Sequence, residues 1–177
     1  DDHFTHLHKR SIDGVLAAAR DSGIRCRMAR LTINDPDAVP DGFREELDIG
    51  LAETERVKSE WEDENISVTA STIGITYCEP DQLIELWRWT DANNRQFDIH
   101  APAVFDQKYL AARRGWEGGS FEWLDHVGIL GPNLIAAHAQ NLRPGEEKLI
   151  HDRGAAVALV PDMEQVLGLV SFNAKQF

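Results

Sequence analysis

The sequence is poor in cysteine, in basic residues and in long apolar runs, and each shortage argues against a class of protein. Its two cysteines, Cys26 and Cys78, lie far apart and form no CxxC pair, so a disulfide framework is not expected. Lysine and arginine number 18 against 30 acidic residues, and the formal net charge of -12 argues against nucleic acid or an anionic membrane as partner. No apolar run approaches the roughly 18 residues that a membrane-spanning helix requires.

Familiar nucleotide-binding and nucleophile motifs are missing too. Gly115, Gly118 and Gly119 form neither a GxGxxG nor a GKS/T loop after a predicted strand, and no GxSxG elbow occurs. The opening residues, DDHFTHLHKR, lack the pattern of a signal peptide. Both cysteines fall in predicted strands, where buried and inert thiols are expected, so the sequence favours a cytoplasmic protein in a reducing environment.

What the chain does contain is an alternation of strand-like and helix-like segments. Hydrophobic residues make up 42% and charged residues 27% of its 177 residues, which is typical of one folded globular domain. Strands separated by helices run parallel, so the sequence predicts an α/β fold with a parallel sheet, either a barrel or doubly wound. Helices are predicted at 11–21, 40–65, 80–93 and 144–152 and from 120 onward, and strands at 24–33, 66–78, 96–101, 133–139 and 155–160.

Residues at the predicted helix ends support these boundaries. Ser11 and Ser120 are predicted N-caps, because a serine hydroxyl can accept a hydrogen bond from a free backbone N–H in the first turn. Gly23 and Gly154 are predicted to end their helices in the left-handed conformation.

Two histidines stand at the ends of predicted strands. His100 ends QFDIH and His138 ends NLIAAH. In parallel α/β folds the carboxyl ends of the strands gather the functional residues, so the two imidazoles could converge on one ion or one water. Imidazole suits zinc and iron, and a separation above about 7 Å would contradict a shared ion. The alternative is that both are buried core histidines.

Other histidines and a tryptophan give weaker signals. His6 and His8 have the HxH spacing that can chelate a metal on a strand, with His3 just before them, but a polar loop before Ser11 explains the same pattern. Trp116 follows the strand that ends at His100 and could line a pocket.

Longer stretches of the sequence resemble a known family. The segments QFDIHAPA and GGSFEWLDHVGILGPNLIAAHAQNLRPGEEKLIHDRGAAVALVPD resemble the amidohydrolase superfamily, in the branch of the cytosine and guanine deaminases and chlorotriazine hydrolases. Asp2-His3-Phe4 resembles the Asp-His-aromatic that ends barrel strand 2 in that branch. SIDGVLAAARDSGIRCRMAR resembles the next helix and strand, so the resemblance covers essentially the whole chain.

This resemblance implies a fold and a chemistry. It implies that residues 1–177 form a single partial domain of a (β/α)8 barrel of TIM type, about strands 2 to 7. His100 matches the metal-ligand histidine of strand 5, and His138 matches the catalytic strand-6 histidine that ligates the metal or holds the attacking water. The implied metal is a divalent ion, zinc in the first place with iron as the alternative. His3 and Trp116 would contact the substrate.

The implied reaction is hydrolysis of a small nitrogen heterocycle. A metal-bound hydroxide attacks a ring carbon and expels ammonia, an amine or chloride. The implied enzyme acts on non-peptide C–N bonds, and a homo-oligomer or further chain segments would complete the barrel.

The sequence also departs from the family pattern. The strand-1 HxH would lie upstream of Asp2 and the strand-8 aspartate beyond Phe177, and the glutamate of HxxE is Ala103 here. Asp106 or Glu164 are candidate substitutes for that glutamate. Two interpretations follow: the chain is the central part of a metal-dependent hydrolase, or it is an inactive barrel fragment with a structural or oligomerisation role.

Overall fold

The computed structural model describes residues 9–101 and 106–166 of the chain. Helices and strands alternate along it, as the sequence predicts, except that two helices separate the third and fourth strands. The elements are α1 (Lys9–Ser22), β1 (Cys26–Leu31), a 3₁₀ turn (Asp41–Phe43), α2 (Leu47–Trp61), β2 (Ile66–Ser71), α3 (Pro80–Ala92), β3 (Phe97–Ala101), α4 (Asp106–Arg114), α5 (Ser120–His126), β4 (Leu134–His138), α6 (Glu146–Arg153), β5 (Ala156–Ala158) and α7 (Pro161–Val166). No described helix is both long and apolar enough to cross a lipid bilayer.

The chain divides into two compact units, of which the first comprises Asp1–Ile73 and Tyr77–Phe97. In this unit β1 and β2 pair in parallel, in a register that sets Met28 opposite Val68. The side chains of these two residues pack against the apolar stripes of α1 and α2, where Leu16 and Val57 are fully buried. The core of the first unit therefore lies between this pair of strands and the two helices.

The second unit comprises Gly74–Thr76 and Asp98–Phe177. Its strands are ordered β3-β4-β5, and β4 runs parallel to β5, with Ala136 opposite Val157. Leu134 and Ala136 of β4 are fully buried. The α/β fold with parallel strands is therefore confirmed.

The predicted long helix over 40–65 is wrong in its first part. After the 3₁₀ turn the backbone is extended at Arg44 (φ -71°, ψ 140°) and at Glu46 (φ -63°, ψ 147°), and α2 begins only at Leu47. The cause is a tertiary contact of Glu45. Its carboxylate accepts two hydrogen bonds from the guanidinium of Arg30, which is 1% exposed, one of them at 2.8 Å. Pairing with a buried charge outweighs helix propensity in this segment.

The predicted strand over 66–78 is also too long. β2 ends at Ser71, and Cys78 lies in the loop before α3. The prediction that Cys78 is in a strand is therefore wrong, whereas its burial is confirmed. Burial raises the pKa of the Cys78 thiol to about 12, so the thiol stays protonated and unreactive at neutral pH.

The prediction that Ser11 and Ser120 are N-caps is wrong, whereas the prediction that Gly23 and Gly154 end their helices in the left-handed conformation is confirmed. α1 includes Lys9, so Ser11 lies inside the helix, and Ser120 is the first residue of α5 rather than the residue before it. Gly23 and Gly154 follow their helices with φ of 69° and 72°. Helices α4 and α7 were not predicted, because they carry too few apolar residues to show helical periodicity.

Candidate metal centre

His100 is positioned by the alternation of side chains along β3. Phe97, Ile99 and Ala101 lie on one face of the strand and are fully buried. Asp98 and His100 therefore share the other face, since successive side chains of a strand point to opposite sides. Asp98 is buried and His100 half-buried, so the histidine stands at the more open end of that face.

His138 ends β4 in an unusual backbone conformation. Its φ is 78°, and the next residue, Ala139, has a φ of 47°. Consecutive non-glycine residues with positive φ cost conformational energy and occur mainly at functional sites. The side chain is 9% exposed, so the strand ends in a buried imidazole held by a strained turn.

The structure brings the two predicted histidines together. The ring centroids of His100 and His138 lie 5.0 Å apart, with an angle of 86° between the ring planes. Two imidazoles that bind one tetrahedral zinc through bonds of about 2.0–2.1 Å have centroids roughly 5 Å apart. The separation and the donor type therefore fit two ligands of one metal ion. The perpendicular arrangement equally suits an edge-to-face aromatic contact, which is the core-histidine alternative.

A third metal ligand is not found among residues 9–101 and 106–166, where no group of three or more His, Cys, Asp or Glu side chains is placed to hold an ion. Asp106, one candidate for the missing proton-transfer group, is fully buried at the start of α4. His3, His6, His8 and Ala103 and the side chain of Glu164 lie outside the described part of the chain.

Trp116 lies beside a cavity of about 540 Å³ that does not include the two histidines. The cavity is also lined by Gln107, Lys108 and Arg143. The indole N–H of Trp116 donates to the Gly119 carbonyl (3.1 Å), and its ring stacks on His126 at 5.0 Å. These contacts hold the Trp116 ring in one orientation.

A hydrogen bond connects this cavity to the segment that follows β4. The side-chain amide of Gln107 donates to the Asn141 carbonyl at 3.2 Å, three residues beyond His138. In the same segment, Gln140 is 3% exposed, and its amide nitrogen has no hydrogen-bond partner in the described part of the chain. A buried donor of this kind is available to a water or a ligand.

The segment after β4 is anchored at its other end by Glu146. The Glu146 carboxylate, 1% exposed, accepts hydrogen bonds from the backbone N–H groups of Arg143 (2.7 Å), Phe121 (2.7 Å) and Glu122 (3.3 Å). It therefore caps the N-terminus of α5 from a different helix. Burial raises the pKa of this carboxyl group, against the opposing effect of the three N–H donors.

Replacing Glu146 by alanine is expected to lower the free energy of unfolding by about 2–3 kcal/mol, because one buried and two partly buried N–H groups lose their acceptor. Denaturant unfolding of the wild type and of Glu146→Ala measures this difference. Glu147→Ala, on the same helix, is the matched control and should change stability by less than about 0.5 kcal/mol. Equal stability of the two variants would contradict the capping role.

The raised pKa of Glu146 predicts a pH dependence. The folded state keeps the proton at pH values where the unfolded state has lost it, so stability falls as pH rises above the ordinary glutamate value of 4.5. Glu146→Gln removes this titration. The stability of the wild type relative to Glu146→Gln should therefore decrease as pH rises through that window, and an increase would contradict the assignment.

Two residues that follow β4 or contact β3 were not predicted from the sequence. Gln140 stands two residues after a predicted strand end, and only its position in AHAQNL hinted at a role. Gly74 lies against the backbone of His100, with which it forms an isolated parallel bridge. No local signal marks Gly74, because its contact is 26 residues away along the chain.

Known proteins resemble this chain in sequence and in fold. A 5'-deoxyadenosine deaminase of Methanothermobacter thermautotrophicus is 26% identical over 159 residues, which cover 88% of this chain and 36% of that protein. An atrazine chlorohydrolase of Arthrobacter aurescens, solved with zinc, has a TM-score of 0.80 at 20% identity and is matched over 90% of this chain and 37% of its own. A guanine deaminase of C. acetobutylicum, solved with bound guanine, has a TM-score of 0.81 at 17% identity, over 93% of this chain and 40% of its own.

No family model matches the chain. The chain spans 36% of the length of the deaminase it matches in sequence. The solved neighbours are TIM barrels, so this chain has the parallel α/β fold of one part of such a barrel.

Proposed function

We propose that this chain, which resembles the deaminase and chlorohydrolase branch of the amidohydrolase superfamily, supplies two histidine ligands to the catalytic divalent metal of a hydrolase. In this proposal residues 1–177 are a single partial (β/α)8 domain. The supporting observation is that the ring centroids of His100, near the end of β3, and His138, at the end of β4, lie 5.0 Å apart. Zinc is the preferred ion, with iron as the alternative, since imidazole suits both.

The proposed reaction is the hydrolytic deamination or dechlorination of a small nitrogen heterocycle. A divalent ion, when bound, supplies a water activated for attack at neutral pH. His100 acts as a ligand, and His138 binds the ion or holds the attacking water. The matched guanine deaminase and zinc-containing atrazine chlorohydrolase support this substrate class and this ion.

His3 and Trp116 are proposed substrate-binding residues. The indole ring of Trp116, fixed by its hydrogen bond to Gly119 and by its stack on His126, offers a flat apolar surface beside the cavity. A planar heterocycle can stack on such a ring. The proposal for His3 rests on its place in the Asp2-His3-Phe4 segment alone.

We further propose an assembly and a cellular location for the protein. A homo-oligomer, or further segments of a longer chain, would complete the barrel. Within the described part of the chain neither Cys26 nor Cys78 forms a disulfide, which supports a location in the reducing cytoplasm.

A second candidate function is that of an inactive barrel part with a structural or oligomerisation role. The observation that favours it is the lack of a third metal-binding side chain beside the two histidines within residues 9–101 and 106–166. A catalytic zinc needs about three protein ligands.

Hydrolysis by the zinc-loaded chain distinguishes the two candidates. The assay follows ammonia and chloride release from aminated and chlorinated purines, pyrimidines and triazines. We expect release that His100→Ala abolishes and that His151→Ala, at an exposed position of α6, leaves unchanged. If the zinc-loaded protein releases neither ammonia nor chloride, the result supports the second candidate function, an inactive barrel part.

A further inference from the structure

We propose that Gly74 is a positioning residue for His100: the absence of a side chain at Gly74 lets its backbone lie against the His100 carbonyl and so fixes the imidazole for the metal. This inference rests on the proposed function. It concerns a residue that touches neither the metal nor the substrate in that proposal and acts through His100.

The contact between the two residues is closer than any side chain allows. A β-carbon added at Gly74 would lie 2.7 Å from the carbonyl oxygen of His100 and 3.8 Å from its carbonyl carbon. Real β-carbons essentially never approach another atom below 3.0 Å. The atom that is met belongs to the backbone, which cannot turn away as the end of a flexible side chain can.

The backbone of His100 has little room to yield. It forms a parallel bridge with Gly74, and the neighbouring side chains of β3, Ile99 and Ala101, are fully buried. A methyl group at position 74 would therefore move the His100 backbone, and its ring with it, by several tenths of an ångström. Metal sites tolerate ligand distances within only about 0.2 Å of the ideal value.

Gly74 has a matched control in the same unit. At Gly131 an added β-carbon would meet only the Asn133 side-chain oxygen, at an ordinary 3.6 Å. Neither Gly74 nor Gly131 has a positive φ, so alanine is compatible with the backbone conformation at both positions. Of these two substitutions, it is Gly74→Ala that places a methyl group against the His100 backbone.

Zinc titration of the purified chain, followed by competition with a chromophoric chelator, tests the inference. We expect Gly74→Ala to weaken zinc binding by about 10- to 100-fold, the usual effect of disturbing a residue that orients a metal ligand. Gly131→Ala should bind zinc as the wild type does. If the wild type binds zinc and Gly74→Ala binds it equally tightly, the positioning role is wrong while the proposed function stands. If the wild type binds no zinc, the proposed function itself is wrong.

A double-mutant cycle separates positioning from a general loss of structure. If Gly74 acts through His100, then Gly74→Ala has no further effect on zinc affinity once His100 is alanine. An additional loss of 10-fold or more in the His100→Ala background would contradict the inference.

A measurement on the wild type remains decisive if Gly74→Ala does not fold. Hydrogen–deuterium exchange is followed with and without zinc. We expect zinc to slow exchange at 74–76 together with β3, because the bridge connects the two. Protection of β3 without protection of 74–76 would contradict the positioning role.

Discussion

Replacing His138 by alanine is expected to weaken zinc binding by about 100- to 1000-fold. Structural zinc sites contribute about 10–16 kcal/mol, so one ligand in four accounts for roughly 2.5–4 kcal/mol. His138 is 9% exposed, and its ring centroid lies 5.0 Å from that of His100. Because the position is buried, a side chain on the protein surface cannot readily replace the lost ligand. Competition with a chelator of known affinity measures the change.

Two further variants control this experiment. His138→Asn lacks the imidazole but suits the positive φ of 78° at this position, because asparagine tolerates the left-handed region better than alanine. It separates loss of the ligand from backbone strain, and we expect it to weaken zinc binding as alanine does. His151→Ala removes an exposed histidine and should leave the affinity unchanged. Zinc binding that survives both substitutions of His138 would contradict its role as a ligand.

Replacing Glu45 by alanine is expected to lower the free energy of unfolding by about 3–5 kcal/mol, because it leaves a buried guanidinium without its counter-charge. Arg30 is 1% exposed and donates to both carboxylate oxygens of Glu45. Its other hydrogen bonds within residues 9–101 and 106–166 go to the Leu31 carbonyl (2.6 Å) and the Thr32 hydroxyl (3.2 Å), which carry no full charge. Denaturant unfolding at neutral pH measures the loss.

The neighbouring Glu46 provides the control for Glu45. Glu46 is exposed, and its side chain makes no capping hydrogen bond to α2, so Glu46→Ala should change stability by less than about 0.5 kcal/mol. Replacing both charges, as Arg30→Met with Glu45→Leu, should recover most of the stability lost in Glu45→Ala. A loss below about 1 kcal/mol in Glu45→Ala would contradict the proposed importance of the pair.

The sequence predicted those parts of the fold that repeat a local pattern. LIAAH and QFDIH were predicted as strands of a parallel sheet covered by helices, and the observed strands match them closely. His138 is the last residue of β4, and His100 is the last but one of β3. Functional residues lie at the carboxyl ends of parallel strands, and this rule predicted that His100 and His138 lie close together. Their ring centroids are 5.0 Å apart.

Features that depend on distant contacts were not predictable. The start of α2 is shifted to Leu47 because Glu45 pairs with Arg30, fifteen residues earlier in the chain. The N-terminus of α5 is capped by Glu146 from α6 rather than by the local Ser120. Gly74 carries no signal of its own, since its contact with His100 exists only in the folded chain.

The central claim is that His100 and His138 bind one metal ion together, and X-ray absorption at the zinc edge of the zinc-loaded chain tests it most directly. We predict scattering from two imidazole rings bound through nitrogen at about 2.0–2.1 Å. One ring should be lost in His100→Ala and one in His138→Ala, while His151→Ala keeps both. A spectrum without imidazole scattering, or one that neither substitution changes, would contradict the claim.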